Sequence, residues 1–137
     1  MSQRTLVLIK PDAVRRRLIG RILTRFEERG LDVVALELRS IDAAMADAHY
    51  RDHVTQDWYP PLRDFATSGP LVALVLEGDE AIEVVRAMNG ATDGRKAAPG
   101  TIRGDFGLSN RENLVHASDS PESAFREIAL WFPDVAG

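Results

Sequence analysis

The sequence contains two short runs of apolar, strand-forming residues, at positions 5–9 and 71–76. Such runs are typical of strands that are buried on both faces of a sheet. Residues 31–39 instead alternate apolar and polar side chains, which predicts a strand near a sheet edge. A fourth strand is predicted at residues 113–117, where a short apolar run ends in a polar turn.

Segments with apolar residues at helical spacing separate these strands. The helices are predicted at residues 12–30, 42–52, 79–89 and 120 onward. In the third of them, Asp79 is expected to be the N-cap. Residues 91–111 show neither helical spacing nor the alternation of a strand. A connection of this length within a compact domain is usually functional.

The order of these elements predicts the fold class. The order is strand, helix, strand, helical pair, strand, helix, strand, helix. This order fits the βαββαβ core of a ferredoxin-like α+β sandwich, in which helices cover a four-stranded antiparallel sheet. The first and third strands occupy the middle of that sheet, and they are the two uninterrupted apolar runs. With 137 residues, 45% of them hydrophobic, we expect one domain that spans residues 1–137.

Composition narrows the function classes. Seventeen basic and 21 acidic residues give a net charge of −4, which argues against non-specific coating of nucleic acid, and the arginines at 15–17 are best explained as a solvated helix face. No cysteine is present, so disulfides and thiol catalysis are excluded and a reducing cytoplasm fits. The N-terminal apolar run is too short for a membrane span. We therefore expect a cytoplasmic protein without a membrane or a specific nucleic-acid partner.

Residues 101–120 hold arginine, asparagine, histidine and serine side chains close to glycines. A glycine-rich loop lets backbone N–H groups approach a ligand, and the planar fork of arginine matches phosphate oxygens. Neither a Walker-type loop nor a G-x-G-x-x-G fingerprint is present, and His116, Ser118 and Asp119 are too close in sequence for a hydrolase triad. A neutral imidazole can attack phosphorus. Phosphate or nucleotide binding is therefore one interpretation that the residues leave open.

Two further features allow a structural and a functional interpretation. His49 and His53 lie four residues apart on a predicted helix, as in metal-binding helices, but no third ligand accompanies them. We expect them to be exposed or hydrogen-bonded. The aromatic cluster that begins at Trp58 is expected in the core or in an interface, with a base-stacking platform as the alternative.

Several motifs resemble those of the nucleoside diphosphate kinase family, in the same order and spacing along the whole chain. They are LVLIKPDAV (6–14), HY (49–50), TSGP (67–70), PGTIRGDF (99–106), NLVHASDS (113–120) and EIALWF (127–132). The resemblance implies an enzyme that transfers the γ-phosphate of a nucleoside triphosphate, mainly ATP, to a histidine and then to a nucleoside diphosphate. The family works with magnesium in a ping-pong cycle.

The resemblance also implies a role for individual residues. His116 would be the phosphorylated nucleophile and would attack through Nδ1. Glu127 would accept a hydrogen bond from the other ring nitrogen, directly or through the hydroxyl of Ser118. No residue is assigned as a metal ligand, and Mg²⁺ is expected to arrive with the nucleotide phosphates.

The nucleotide-binding residues implied by the resemblance fall into three groups. Phosphate ligands would be Lys10, Tyr50, Arg86, Thr92 and Arg103. Asn113, together with Lys10, would contact the sugar hydroxyls. Trp58 would stack on the base and Leu62 would line the same slot, and since every base has a π-face, stacking tolerates different bases.

The family further implies a homo-oligomer, a hexamer or alternatively a tetramer. Two positions depart from its pattern: Ala117 and Gly94 stand where glycine and proline are usual. Ala117 would be strained if its φ had to be positive, and Gly94 is expected to loosen its loop. The competing hypothesis is a ferredoxin-like module that binds nucleotides without turning them over.

Overall fold

The computed structural model describes residues 2–135. In chain order its elements are β1 (Ser2–Ile9), α1 (Pro11–Arg15), α2 (Ile19–Glu28), β2 (Asp32–Arg39), α3 (Ala43–His49), α4 (Tyr59–Ala66), β3 (Leu71–Asp79), α5 (Ala81–Asn89), α6 (Ile102–Phe106), β4 (Val115–Ala117) and α7 (Pro121–Trp131). None of the helices within these residues is long and apolar enough to cross a membrane.

The strands form one antiparallel sheet in the order β2-β3-β1-β4. The predicted central position of the first and third strands is confirmed, as is the edge position of the second. The ferredoxin-like α+β class is confirmed with it. In the pairing of β1 with β4, Leu8 lies opposite His116 and Val7 opposite Ala117.

Both faces of the sheet are covered, and alternate residues of the central strands supply the two halves of the core. Val7 and Ile9 of β1 pack in one cluster with Ile22 and Phe26 of α2. Leu6 and Leu8, which point to the opposite face, pack with Ile128 and Trp131 of α7. This two-sided burial is why β1 is apolar without alternation.

The first predicted helix is interrupted. Arg17 adopts a left-handed conformation with φ 61°, and the amide of Leu18 donates to the carbonyl of Ala13. The chain therefore turns between α1 and α2. The apolar positions keep helical spacing across this break, so their periodicity could not reveal it.

The predicted cap of the third helix is wrong. Asp79 is the last residue of β3 and pairs with Ser2, while Glu80, with φ 52°, precedes the first residue of α5. The pairing with β1 extends β3 beyond the apolar run, which moves the start of the helix by one residue.

The connection at residues 91–111 contains a helix that the sequence pattern did not predict. Thr101 caps α6 by accepting a hydrogen bond from the amide of Gly104. Asp105 accepts from the amide of Gly100 and from Arg25 at 2.6 Å. A helix of five residues is too short to show a period, so its contacts alone define it.

Gly94 is tightly packed in this connection. A Cβ atom at this position would lie 2.7 Å from the Cα and the carbonyl carbon of Gly107. Real Cβ atoms do not approach backbone so closely, and therefore glycine is a steric requirement here. The expected loosening of the loop concerns its mobility and stays a prediction, whereas the close approach of two backbone segments at this point is a feature of the folded chain.

We predict that Gly94→Ala lowers the free energy of unfolding by about 1–3 kcal/mol, because the backbone of Gly107 must move to admit a methyl group. Urea denaturation at fixed protein concentration measures the change. Gly20→Ala is the matched control, since nothing lies within 4 Å of a Cβ there and the residue is helical. It should stabilise by up to about 0.5–1 kcal/mol. Equal effects of the two substitutions would contradict the steric explanation.

Candidate active site

A cavity of about 420 Å³ opens where β1 ends beside β4. Most of the residues implied by the family resemblance line it, although they come from widely separated parts of the chain. They are Lys10, Tyr50, Arg86, Thr92, Arg103, Asn113, His116 and Glu127. Ser118 is buried beside Glu127. Trp58 and Leu62 are not among the lining residues.

His116 lies in β4 with a directed hydrogen bond on one side of its ring. Nε2 is 2.9 Å from Oε1 of Glu127, and the same oxygen accepts a hydrogen bond from the hydroxyl of Ser118, also at 2.9 Å. The Glu127 side chain is 6% exposed, whereas that of His116 is 22% exposed. A buried carboxylate favours the tautomer with the proton on Nε2, which leaves the lone pair of Nδ1 free.

The strand that carries His116 is fixed at both ends. Leu114, just before β4, has φ 76°. Its amide donates to Oδ2 of Asp12 at 3.1 Å, and its carbonyl accepts from the amide of Lys10 at 2.8 Å. A left-handed leucine costs about 1–2 kcal/mol, and these two bonds hold it in place. After the strand, Ser118 exchanges hydrogen bonds with the backbone of Leu6.

Ala117 does not carry the strain that was considered for it. Among residues 2–135, positive φ values outside glycine occur at Arg17, Glu80 and Leu114. Ala117 is an ordinary strand residue that pairs with Val7, so its methyl group has no unfavourable backbone conformation to resist.

Arg103 binds the backbone around His116. Nε, Nη1 and Nη2 donate to the carbonyls of Asn113, Gly90 and Val115 respectively. Burial, reinforced by the charge of Arg86, lowers the pKa of Arg103 to about 10. The guanidinium has five N–H groups, so it retains donors for an anion while it fixes β4.

Lys10 and Asn113 form a second positioned pair. Nζ of Lys10 donates to Oδ1 of Asn113 at 2.9 Å, and the amide nitrogen of Asn113 donates to the carbonyls of Thr92 and Asn110. The Asn113 donors are thus used within the protein, which leaves its oxygen as an acceptor for a ligand hydroxyl. Burial, with the neighbouring charge of Arg103, lowers the pKa of Lys10 to about 8.

The remaining predicted phosphate ligands lie on the cavity walls. Arg86 and Thr92 are exposed there, while Tyr50 is half-buried. Burial, reinforced by the charge of Glu127, raises the pKa of the Tyr50 phenol to about 12. The hydroxyl therefore stays protonated and can donate to an anion.

Trp58 and Leu62 lie outside the cavity wall, on the α4 side. Trp58 is 51% exposed and its ring is 5.1 Å from that of His53, which does line the cavity. Leu62 is half-buried on α4. Trp58 is thus an exposed ring one side chain beyond the cavity, whereas its neighbour Tyr59 is in the core.

Three further residues of this region were not singled out for the site. Asp12 holds Leu114, as described above. Asn89 lines the cavity and its buried Oδ1 has no hydrogen-bond partner. His49 is buried and accepts a hydrogen bond from Trp131. The expectation of a hydrogen-bonded histidine at 49 is confirmed, but only the fold reveals its closeness to His116.

The metal-ligating side chains do not form a magnesium site. Within residues 2–135, the group of three that could share an ion is His49, His116 and Glu127. Magnesium prefers oxygen ligands in octahedral geometry, and two of these three residues offer nitrogen. The cavity is instead rich in cationic side chains: Lys10, Arg86, Arg103 and Arg126 line it.

A nucleoside diphosphate kinase family model matches residues 3–136. The chain belongs to the nucleoside diphosphate kinase family. It is therefore an enzyme that transfers the γ-phosphate of a nucleoside triphosphate to a nucleoside diphosphate through a phosphohistidine. Membership supports the kinase over the non-catalytic binding module.

The sequences of individual relatives match this chain along nearly their whole length. The nucleoside diphosphate kinase of Nocardioides sp. is 73% identical over 133 residues, which cover 97% of this chain and 98% of that protein. The enzyme of Mycobacteroides abscessus is 60% identical over 134 residues, with 97% and 98% coverage.

Solved nucleoside diphosphate kinases share the fold. The halophilic enzyme of Halobacterium salinarum, solved in complex with CDP, matches with a TM-score of 0.94 at 46% identity and covers 96% of this chain and 88% of that one. The apo enzyme of Encephalitozoon cuniculi matches with a TM-score of 0.95 at 38% identity, with 98% and 92% coverage.

The lowered pKa of Lys10 predicts that nucleotide binding to this kinase weakens at alkaline pH. The ammonium of the free enzyme loses its proton as pH rises through about 8, and a neutral amine attracts phosphate less. We expect the Kd for ADP to increase by up to about tenfold between pH 7 and pH 9, as measured by calorimetry. Lys10→Arg keeps its charge over this range, so its Kd should be nearly flat. The same slope in both proteins would assign the titration to another group.

Proposed function

We propose that His116 is the residue that becomes phosphorylated. The observation that carries this assignment is the pairing of Nε2 with the buried carboxylate of Glu127, because it leaves Nδ1 as the nucleophile on the partly exposed ring. The lone pair of Nδ1 forms a bond to the γ-phosphorus, and the bond to the β–γ bridging oxygen breaks. The nucleoside diphosphate leaves with that electron pair.

Glu127 and Ser118 support this step. The ring gains positive charge as the N–P bond forms, and the adjacent carboxylate stabilises that charge without moving. Ser118 donates to the same oxygen and thereby fixes its position. In the second half-reaction the terminal oxygen of an incoming diphosphate attacks the phosphohistidine, and the electron pair of the N–P bond returns to Nδ1.

The cations of the cavity bind and orient the phosphates. We assign this role to Lys10, Arg86 and Arg103, with Tyr50 and Thr92 as hydroxyl donors. Phosphoryl transfer depends mainly on positioning and charge stabilisation, which suits a rigid cationic cavity. Asn113 would accept from a sugar hydroxyl, and Trp58 and Leu62 would contact the base outside the cavity.

Mg²⁺ is proposed to bind mainly through nucleotide phosphates and water. When bound, it would supply charge neutralisation on the phosphate oxygens. The cavity carries Asp52 and Asp119 on its wall, and these carboxylates could accept from a magnesium-bound water. Both phosphoryl transfers described above are assigned to side chains of the protein.

Further parts of the assignment concern the whole molecule. We infer one domain over residues 1–137, a cytoplasmic location and ATP as the main donor. We also infer a homo-oligomer, a hexamer with a tetramer as the alternative. The edge strand β2 supports assembly, because Val33, Leu36 and Leu38 are exposed on it and an uncovered edge is a site for association. Light scattering distinguishes the two sizes.

The nucleophile assignment predicts that His116→Ala abolishes turnover while the Kd for nucleotide stays within about tenfold, because binding comes from other side chains. Labelled ATP should leave an acid-labile, base-stable phosphate on the unaltered protein, and added GDP should remove it. His53→Ala is the control, since it removes another histidine of the cavity and should still be labelled. Label on the His116→Ala protein would disprove the assignment.

The base contact predicts that Trp58→Ala weakens nucleotide binding by about 1–3 kcal/mol, which is the usual effect of removing a stacked aromatic ring. Calorimetry with ADP and with GDP measures it, and both should be affected. Phe125→Ala removes an exposed aromatic ring that lines a different surface cavity, and its affinity should not change. An unchanged affinity in Trp58→Ala would remove Trp58 from the binding site.

A further inference from the structure

His49 has a proton position that its surroundings determine. The side chain is buried, with 4% of the residue exposed, and its Nδ1 lies 3.0 Å from Nε1 of Trp131. The indole N–H can only donate a hydrogen bond. Nδ1 of His49 must therefore be the acceptor, and it carries no proton.

The second nitrogen of the ring must then hold the single proton. Burial, reinforced by nearby positive charge, places the pKa of His49 well below its usual value of 6.5, so the ring is neutral. The groups whose positive charge opposes protonation of His49 are His116, Arg126, Lys10 and His53, and the titratable side chains of Tyr50 and Glu127 also lie beside the ring. A neutral imidazole with an unprotonated Nδ1 is the Nε2–H tautomer.

This tautomer lies directly against the proposed nucleophile. The rings of His49 and His116 meet edge to face, with centroids 4.6 Å apart and an interplanar angle of 82°. One ligand atom each of His49, His116 and Glu127 lies within 4.8 Å of the others. Two imidazoles and a carboxylate are a donor set that zinc commonly uses.

The hydrogen bond of His49 is the reverse of what a metal ligand requires. A histidine that binds a metal through one nitrogen almost always donates a proton from the other nitrogen. In His49 the Nδ1 lone pair is occupied by Trp131, and Nε2 has no lone pair because it is protonated. Whichever nitrogen faces the cluster, coordination would break a buried hydrogen bond and leave the indole N–H without a partner.

We propose that Trp131 locks His49 in the Nε2–H tautomer, and that the locked ring positions His116 while denying transition metals a third ligand beside it. The effect on turnover rests on the proposed role of His116 as the nucleophile. The tautomer and the exclusion of metal do not rest on it, because both are properties of the free protein. Without the lock, a zinc ion could be shared by His49, His116 and Glu127, and it would coordinate a ring nitrogen of His116.

The first experiment determines the tautomer in the unaltered protein. Long-range proton–nitrogen correlation spectra of protein with nitrogen-15 in its histidines distinguish a protonated Nε2 from a protonated Nδ1. Assignment comes from the spectrum of His49→Gln. We expect His49 to show Nε2–H at pH 7. A protonated Nδ1, or a doubly protonated ring, would overturn the proposal.

The second experiment removes the lock with Trp131→Phe, which keeps an aromatic ring but lacks the N–H. We expect a mixture of His49 tautomers and at least about tenfold tighter zinc binding to the nucleotide-free protein, since the hydrogen-bond partner of a histidine commonly changes its metal affinity by at least this factor. A chromogenic chelator in competition measures this affinity. The gain should disappear in Trp131→Phe with His49→Gln. Trp58→Phe, which removes the other indole N–H, should show no gain.

Unchanged zinc affinity in folded Trp131→Phe protein would overturn metal exclusion. A gain that persists without His49 would overturn it as well.

The positioning role is tested with Trp131→Phe in zinc-free buffer, by single-turnover labelling with ATP and Mg²⁺. We expect a severalfold slower phosphorylation rate at saturating ATP with unchanged nucleotide Kd. An unchanged rate would reject positioning, whereas absence of label on the unaltered protein would instead reject the proposed function of His116.

Discussion

Oε1 of Glu127 accepts hydrogen bonds from both His116 and Ser118, and through them it joins α7 to β4. Burying a carboxylate is costly unless its hydrogen bonds are satisfied. The position of α7 on the sheet is therefore coupled to the position of the His116 ring. The same contact determines which ring nitrogen is protonated. One atom thus links the helix to the strand and sets the tautomer of the ring.

The cavity around this pair concentrates positive charge in a protein whose net charge is −4. The pKa values of Lys10 and Arg103 are both lowered by burial, which means that burying these two cations is costly. A polyanionic ligand offsets that cost. Backbone carbonyls hold Arg103 in place, so its guanidinium is positioned by the fold itself.

Local patterns predicted those features that depend on neighbouring residues. The central strands were predictable because burial on both faces removes the alternation of polar residues. The break at Arg17 and the left-handed conformation of Glu80 were not predictable. Both residues lie in segments whose local periodicity favours a continuous element. The steric requirement for glycine at position 94 was not predictable, because it comes from Gly107, which is distant in sequence.

By itself the sequence determined the fold class, the family resemblance and the residue types that can meet phosphate. Those depend on apolar periodicity and on motif spacing, which are written along the chain. Only the tertiary structure decided how the residues act: that Glu127 contacts His116 directly, that Leu114 is held in a left-handed conformation, and that Trp131 fixes the proton on His49. The reason is that proton positions and strained dihedrals are set by partners from other elements, and those partners meet only when the sheet and its helices are assembled.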